Sequence, residues 1–300
     1  MRIATSLDND GTIDQIVTRA KNLRDVGFTD LWSSQIFGPD TLTALAIVGR
    51  ELPTLNLGTS VVPIQPRHPS MLAAQARTVQ SAIGGHLSLG IGLSHQMIVE
   101  NMWGLSFERP ATYMREYVEA LAPMLRGEAV LVKGERVSTF TTDAVGVRDV
   151  VAPSLLIAAL GPVMLELAGS QTDGTVLWMT GRKTVATHIA PTINAAAARA
   201  GRPSPRIVCG LPIVVTKDVA AARESIDTKL AFYPSLPSYA AMMEREGATM
   251  ASELALIGSR EQVTDQLGQL AEAGVTEFQA AVAASGQERD DTLELLASLV

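Results

Sequence analysis

Metal centres and covalent catalysis depend on a few residue types, and this chain offers few of them in useful arrangements. The four histidines, His68, His86, His95 and His188, lack the spacing of a metal-ligand pair, and no Cys/His pair is present. The single cysteine, Cys209, falls inside a predicted strand, and no Gly-x-Ser-x-Gly turn exposes a nucleophilic serine. We therefore expect no metal site and no covalent nucleophile.

His95 is the best candidate for acid–base chemistry, because it alone of the four histidines comes just after a predicted strand. The alternative is a surface or hydrogen-bonding role. It ends the segment GIGLSH, residues 90–95, which lacks the third glycine and the later acidic residue of a dinucleotide-binding fingerprint. The small residues there either permit tight packing or let the backbone approach a flat or anionic ligand.

A second glycine-containing segment, Leu160-Gly161-Pro162, opens a predicted helix whose first acidic residue is Glu166. Free N–H groups at such an uncharged helix start can bind a phosphate. The alternative is an ordinary turn with proline at the first helical position.

Several aromatic and long apolar residues lie in or near predicted strand ends and would suit a pocket for a planar ligand. Core packing is the competing interpretation. They are Trp32, Phe37, Trp103, Trp178 and Met179.

Short β-branched or apolar runs alternate along the chain with amphipathic stretches, which predicts eight strands, each followed by helical sequence. The predicted strands are Arg2 to Leu7, Thr29 to Ser34, Leu55 to Val62, Leu87 to Gly92, Ser154 to Ala159, Thr175 to Met179, Arg206 to Val215 and Thr276 to Ala283. A small hairpin, Val130 to Phe140, is inserted after the fourth strand. This pattern favours an α/β fold, a single (β/α)₈ TIM barrel over residues 1–300, with an open doubly wound sheet as the alternative.

Composition restricts the partners of the protein. A net charge of −7 and an aromatic fraction of 4% argue against nucleic-acid binding. One cysteine excludes an internal disulfide, and Asp8 interrupts the N-terminus before a signal peptide could form. No apolar run reaches the length of about 18 residues that a membrane span needs. We expect a cytoplasmic protein that acts on a small molecule.

Five segments, in this order and spacing, resemble the bacterial-luciferase-like oxidoreductases, specifically the branch that uses the deazaflavin coenzyme F420. They are VGFTDLWSSQIF, LNLGTSVVPIQPRHP, GGHLSLGIGLSH, AALGPVMLELAGSQTDGTVLW and GSREQVTDQLGQLAEAGVTEFQ. The resemblance covers nearly the whole chain. It implies a (β/α)₈ barrel with the coenzyme at the C-terminal ends of the strands.

The resemblance also implies cofactor-binding residues. Ser60 and Val61 match the point in the third strand where relatives have a cis peptide bond behind the central ring of the cofactor. Leu93 and Ser94 match the loop that lines the cofactor side chain. Leu160 and Gly161 match the loop that holds its phosphate.

The chain departs from the sugar-phosphate dehydrogenase branch of this family at two positions. The Asp-His pair of that branch is Ser34-Gln35 here, and its acidic residue after strand four corresponds to His95. Glutamine exchanges hydrogen bonds but is no acid at neutral pH. The resemblance therefore implies catalytic positions at Gln35, near the reactive face, and at His95, as proton donor, but neither the substrate nor the direction of hydride transfer.

The sequence thus predicts an oxidoreductase that passes hydride from reduced F420 to a small organic substrate. The alternatives are an FMN-dependent luciferase-like monooxygenase, whose reduced flavin reacts with oxygen, and a cofactor-binding protein with little turnover. Arg67, Arg182 and Lys183 are candidates to hold the acidic coenzyme tail despite the negative net charge. Relatives that form dimers lead us to expect a homodimer.

Overall fold

Twelve strands form one closed parallel barrel and one small hairpin in a computed structural model that describes residues 1–300. In chain order they are β1 (Arg2–Ser6), β2 (Asp30–Ser33), β3 (Asn56–Thr59), β4 (Val62–Pro63), β5 (Leu87–Gly92), β6 (Leu131–Lys133), β7 (Ser138–Phe140), β8 (Ser154–Ile157), β9 (Gly174–Trp178), β10 (Arg206–Val215), β11 (Leu256–Gly258) and β12 (Glu277–Val282).

The barrel closes because β1 pairs with both β2 and β12. Around it the order is β1, β2, β3, β5, β8, β9, β10 and β12, all parallel. These eight strands are the eight predicted from the sequence, so the TIM barrel is confirmed and the open sheet is wrong. β4 prolongs β3 beside β5, and β11 pairs with the second half of β10.

Helices cover the outside of the barrel. They are α1 (Ile13–Val26), α2 (Thr41–Glu51), α3 (Pro69–Ala82), α4 (Pro110–Leu125), α5 (Pro162–Gln171), α6 (Arg182–Thr184), α7 (Ala190–Arg199), α8 (Val219–Lys229), α9 (Pro237–Glu246), α10 (Arg260–Glu272) and α11 (Gly286–Ala297). A π-helical turn, Val185–Ile189, joins α6 to α7. No helix combines the length and hydropathy needed to cross a membrane.

Local sequence signals explain where the helices begin. The side chain of Thr12 accepts a hydrogen bond from the backbone N–H of Gln15, whose side chain in turn accepts one from the Thr12 N–H. Ser259 and Gln262 form the same reciprocal pair ahead of α10. Each pair satisfies two N–H groups that a helix start leaves without partners. These side chains therefore determine the residues at which α1 and α10 begin.

The hairpin β6–β7 is antiparallel and is attached to α4 by one buried carboxylate. Glu116 on α4 accepts hydrogen bonds from the backbone N–H groups of Glu135, Arg136 and Val137 at 2.7 to 3.0 Å. Burial acts to raise the pKa of Glu116, but these three donors lower it overall. The hairpin is therefore fixed to the outside of the barrel.

Two apolar layers stabilise the barrel. A cluster of 67 buried residues lies mainly between the strands and the helices. A smaller cluster fills the barrel interior and consists of Ala4, Trp32, Leu156, Val176 and Val208. Because side chains alternate along a strand, these five residues identify which positions point inward. On each strand, the next inward position before these residues lies at the N-terminal end of the barrel. The next inward position after them lies at the C-terminal end.

At the N-terminal end of the strands the inward positions carry charge. Glu277, 1% exposed, accepts hydrogen bonds from Arg2 at 2.5 Å, from the Trp32 indole at 2.6 Å and from Arg206 at 2.8 Å. Arg206 also donates to Ser88 at 2.9 Å, and its guanidinium lies 5.8 Å from the centre of the Trp32 ring. One charged network thus lines a cavity at this end of the barrel, whose walls include Arg2, Trp32, Ser88, Arg206 and Glu277.

Candidate active site at the C-terminal end of the barrel

At the C-terminal end of the strands the inward positions are small or uncharged. Alternation from the interior cluster gives Ser6, Ser34, Ser60, Gly92, Ala158, Trp178, Gly210 and Ala281. Trp178 is the only large side chain among them. A Cβ atom at Gly210 would lie 3.0 Å from the Trp178 ring, and one at Gly92 would lie 2.6 Å from Val61. Gly210 and Gly92 therefore accommodate the Trp178 ring and the Val61 side chain at this end of the barrel.

Three serines of this layer and Gln279, one inward position deeper on β12, form a hydrogen-bonded cluster. Gln279 donates through Nε2 to the hydroxyls of Ser6 and Ser60, both at 3.0 Å. Ser34 donates to the carbonyl of Ser60 at 2.7 Å. Sequence reasoning missed Ser6 and Gln279, although a polar residue at an inward position of a mostly apolar strand was the available signal. The cluster fixes the backbone at Ser60 from three strands.

The peptide bond between Ser60 and Val61 is cis, which confirms the expectation that the resemblance gave for this bond. Its two ends are tied to the neighbouring strand, because Ser60 N–H donates to Ser33 O at 2.9 Å and Gln35 N–H donates to Val61 O at 3.2 Å. Val61 packs against the interior cluster. Ser60 and Val61 thus lie at the mouth of the barrel, where the sequence predicts the cofactor ring.

Gln35 begins the loop between β2 and α2 and is half-buried. Its side-chain oxygen accepts a hydrogen bond from the Thr41 N–H, the first of α2, at 2.7 Å. Its amide nitrogen has no partner within the chain. The residue therefore anchors its own loop through one atom and leaves two N–H donors for a ligand.

The loop after β5 contains Leu93, Ser94 and His95. Ser94 has a φ of 58°, a left-handed conformation that is uncommon for residues other than glycine. The side-chain amide of Gln65 donates to the Leu93 carbonyl and holds the loop from β4. Burial lowers the pKa of His95, and its ring makes no hydrogen bond within the chain. His95 is therefore a neutral side chain at pH 7 at the edge of the mouth.

Leu160 and Gly161 lie between β8 and α5. Gly161 precedes the first residue of α5, and neither a capping side chain nor an acidic residue occupies the first turn. A Cβ atom at Gly161 would have no heavy atom within 4 Å. The ring of His188, in the π-helical turn, forms a hydrogen bond of 2.8 Å with the Leu160 carbonyl. Open space, free N–H groups and a positive helix end together suit an anion.

The three cations proposed for the coenzyme tail differ in availability. Arg67 donates to Asp40 at 2.8 Å, so its charge is already paired. Arg182 and Lys183 are exposed and have no ion-pair partner. The start of their own helix, α6, is capped by the carboxylate of Glu246, which accepts from Lys183 N–H and Thr184 N–H. Only the side chains of Arg182 and Lys183 remain for an anionic ligand.

Aromatic side chains from the segment between β10 and β11 extend over the mouth, and sequence reasoning missed them. Tyr239 on α9 lies 5.9 Å from His95, ring centre to ring centre, and 5.0 Å from Tyr233. Tyr233 in turn lies 6.1 Å from Trp178. We call these four residues the aromatic wall. The only sequence signal in that segment was the pair of prolines, Pro234 and Pro237, that interrupts the helix.

The sequence of this barrel matches one known protein family. The family model for luciferase-like monooxygenases matches residues 1–277, and the chain belongs to that family and is an oxidoreductase.

One sequence relative and two solved structures with the same fold are similar to this chain. A 5,10-methylenetetrahydromethanopterin reductase of Methanolobus tindarius is 26% identical over 248 residues, 82% of this chain and 74% of the relative. The coenzyme F420 dependent tetrahydromethanopterin reductase of Methanopyrus kandleri superposes with a TM-score of 0.78 at 21% identity, over 100% of this chain and 98% of that one. The oxygenating constituent of 3,6-diketocamphane monooxygenase from Pseudomonas putida, solved in complex with FMN, superposes with a TM-score of 0.74. Its sequence identity is 16%, and the match covers 99% of this chain and 97% of that one.

Proposed function

We propose that this protein binds reduced coenzyme F420 in the mouth of the barrel and transfers hydride to a small organic substrate. The F420-dependent reductase with the same fold and the methylenetetrahydromethanopterin reductase with related sequence support this choice. When bound, the coenzyme supplies the hydride; the protein supplies binding, orientation and electrostatics.

The observation that carries the proposal is the start of α5. Gly161 leaves open space beside backbone N–H groups that no side chain caps. A phosphate there would accept hydrogen bonds from those groups and lie at the positive end of the helix. The His188 hydrogen bond to the Leu160 carbonyl holds this loop, and Leu93 and Ser94 lie in the adjacent loop around the barrel, because β5 pairs directly with β8.

The ring end of the coenzyme would lie over the small inward residues. Ser60 and Val61 would support the ring from below, because Gln279 and Ser34 hold that backbone in place. Gln35 would donate a hydrogen bond through its unpartnered amide nitrogen. His95, whose pKa burial lowers, would donate a hydrogen bond from its neutral ring N–H to the substrate as negative charge develops there.

Fluorescence titration of the purified protein with F420, and separately with FMN, tests the proposal. We expect F420 to bind with a micromolar or lower dissociation constant and FMN to bind more weakly. Absence of F420 binding at micromolar concentration overturns the proposal, and tight binding of FMN alone would assign the chain to the monooxygenase alternative.

A further inference from the structure

We propose that the aromatic wall, Trp178, Tyr233, Tyr239 and His95, selects an uncharged, planar, ring-containing carbonyl compound as substrate. This inference rests on the proposed function, because it concerns the second ligand of the same mouth. It is carried by how the four rings are arranged, by their hydrogen bonding and by the charges around them.

The wall borders the mouth of the barrel directly. Trp178 points inward, two residues beyond the interior residue Val176, and it is the one bulky side chain in the upper layer. His95 follows β5, and β8 lies between β5 and β9 in the barrel. A row of rings from Trp178 to His95 therefore passes over the end of β8, above the loop that we assign to phosphate binding.

The ring geometry leaves faces and edges for a further ring. Tyr233 and Tyr239 meet at 81°, and Trp178 and Tyr233 meet at 60°, so each pair is in an edge-to-face arrangement rather than stacked. An aromatic or conjugated ring can join such a cluster by edge or offset contact, with centres 4.5 to 7 Å apart. Tyr233 and Tyr239 are both only partly buried. A planar ligand can therefore pack against the accessible faces and edges of these rings.

The wall also offers a directed hydrogen-bond donor. The hydroxyl of Tyr239 has no hydrogen-bond partner within the chain, in contrast to Tyr117, whose hydroxyl donates to the Arg67 carbonyl. Burial, and to a smaller extent the neighbouring Tyr233, raises the pKa of Tyr239, so the hydroxyl keeps its proton at neutral pH. A carbonyl oxygen is the simplest acceptor for such a group.

Charge argues against an anionic substrate at the wall. The one cation stacked on an aromatic ring in this protein, Arg206, lies on Trp32 at the opposite end of the barrel. His95 is neutral at pH 7 because burial lowers its pKa. Arg182 and Lys183, the unpaired cations that follow Trp178 in the chain, are assigned to the coenzyme tail, so a carboxylate placed among these rings would lose its hydration without gaining a counter-ion of its own. The wall therefore discriminates by charge as well as by shape.

Chromone, a planar uncharged ketone, and chromone-6-carboxylate, the same ring system with a negative charge, are matched probes. Binding to the protein saturated with oxidised F420 is measured by quenching of tryptophan fluorescence and checked by equilibrium dialysis. Coenzyme affinity is measured separately. We expect chromone to bind at least tenfold more tightly than its carboxylate.

Three variants locate the site. Tyr239→Ala should weaken chromone binding at least tenfold, and Tyr239→Phe, which keeps the ring and the fold, about threefold to fivefold. Phe232→Ala is the control, because Phe232 is an exposed aromatic residue of the same segment that contacts none of the four rings. Its chromone affinity should stay within twofold of the parent protein.

The outcomes separate the two proposals. If F420 does not bind at all, the proposed function fails. Two results would contradict the aromatic wall while F420 still binds normally. One is equal binding of chromone and its carboxylate, and the other is unchanged chromone affinity in both Tyr239→Phe and Tyr239→Ala. In either case the aromatic wall is not the substrate surface, and the coenzyme assignment stands.

Discussion

The two ends of this barrel are built from the same eight strands, but their inward side chains differ in charge and in hydrogen bonding. At the N-terminal end Glu277 bonds Arg2, Trp32 and Arg206, and Nε of Arg206 is the one polar atom of these four side chains that is buried without a partner. At the C-terminal end the amide nitrogen of Gln35 lacks a partner within the chain.

The Tyr239 hydroxyl and the His95 ring at the C-terminal end likewise make no hydrogen bond within the chain. Gln35, Tyr239 and His95 are half-buried, so these free hydrogen-bonding groups are accessible to a ligand at the mouth. In a TIM barrel, the N-terminal face serves stability and the C-terminal face serves chemistry. Substitutions at the two ends should therefore separate folding from binding.

The largest effect should follow Glu277→Gln, at the N-terminal end. The change removes the carboxylate that Arg2 and Arg206 share. Because Arg2 is half-exposed and still faces Asp30, we expect a loss of about 2–3 kcal/mol, less than the ~3–5 kcal/mol typical of a fully buried pair. Urea titration measures the free energy of unfolding. Glu294→Gln, whose exposed partner is Arg260, is the control and should change it by less than about 1 kcal/mol. If Glu277→Gln and Glu294→Gln were equally stable, the charged network would not stabilise this end.

The next largest effect should follow Gly161→Asp, at the C-terminal end. This change should raise the free energy of unfolding but weaken F420 binding. An aspartate at this position can cap α5, and in place of glycine it stabilises a helix by roughly a few tenths of a kcal/mol. Its carboxylate would also occupy the anion site and repel a phosphate, so we expect F420 to bind at least tenfold more weakly. Fluorescence titration and urea unfolding measure the two quantities.

Gly268→Asp is the control for that substitution. Gly268 is exposed within α10 and also has open space at its Cβ position, but it lies outside the mouth. Its F420 affinity should match the parent protein. Equal affinities for Gly161→Asp and the parent would show that the start of α5 holds no anion.

A smaller effect should follow Gln35→Glu. The carboxylate still accepts the Thr41 N–H, so the free energy of unfolding should hold, but the two amide donors are lost. One hydrogen bond is worth about 1 kcal/mol, so F420 affinity should fall about fivefold. Gln15→Glu makes the same change in an exposed side chain that accepts the Thr12 N–H, and it should leave F420 affinity unaltered. A normal affinity for Gln35→Glu would remove Gln35 from the binding site.

Much of the fold could be predicted because its signals are local. Each strand is a short apolar run, and the helix starts at Thr12 and Ser259 are set by side chains three residues apart. His95 and Gly161 follow β5 and β8 as the sequence predicts, and their roles in binding stay predictions.

What could not be predicted depends on contacts between distant segments. Glu277 and Arg206 are 71 residues apart, and nothing in either local sequence indicates their pairing. The sequence offers Arg67 as a candidate cation for the coenzyme tail, but in the folded protein its guanidinium is paired with Asp40. Tyr239 reaches His95 only because the helices after β10 fold back across the mouth. Charge and aromatic content are readable in a sequence, but the partners of each group are set by tertiary structure.

The smallest effect concerns pH, and it tests whether the mouth is uncharged. The pKa of His95 is lowered in the folded protein, so the unfolded chain takes up the proton first as pH falls below its ordinary value of about 6.5. His95 therefore leaves stability unchanged above that pH and reduces it below. His95→Gln removes this dependence, so the free energy of unfolding of the parent should fall relative to the variant between pH 6.5 and 5. A constant difference between the two proteins from pH 8 to pH 5 would mean that His95 is not held neutral by burial.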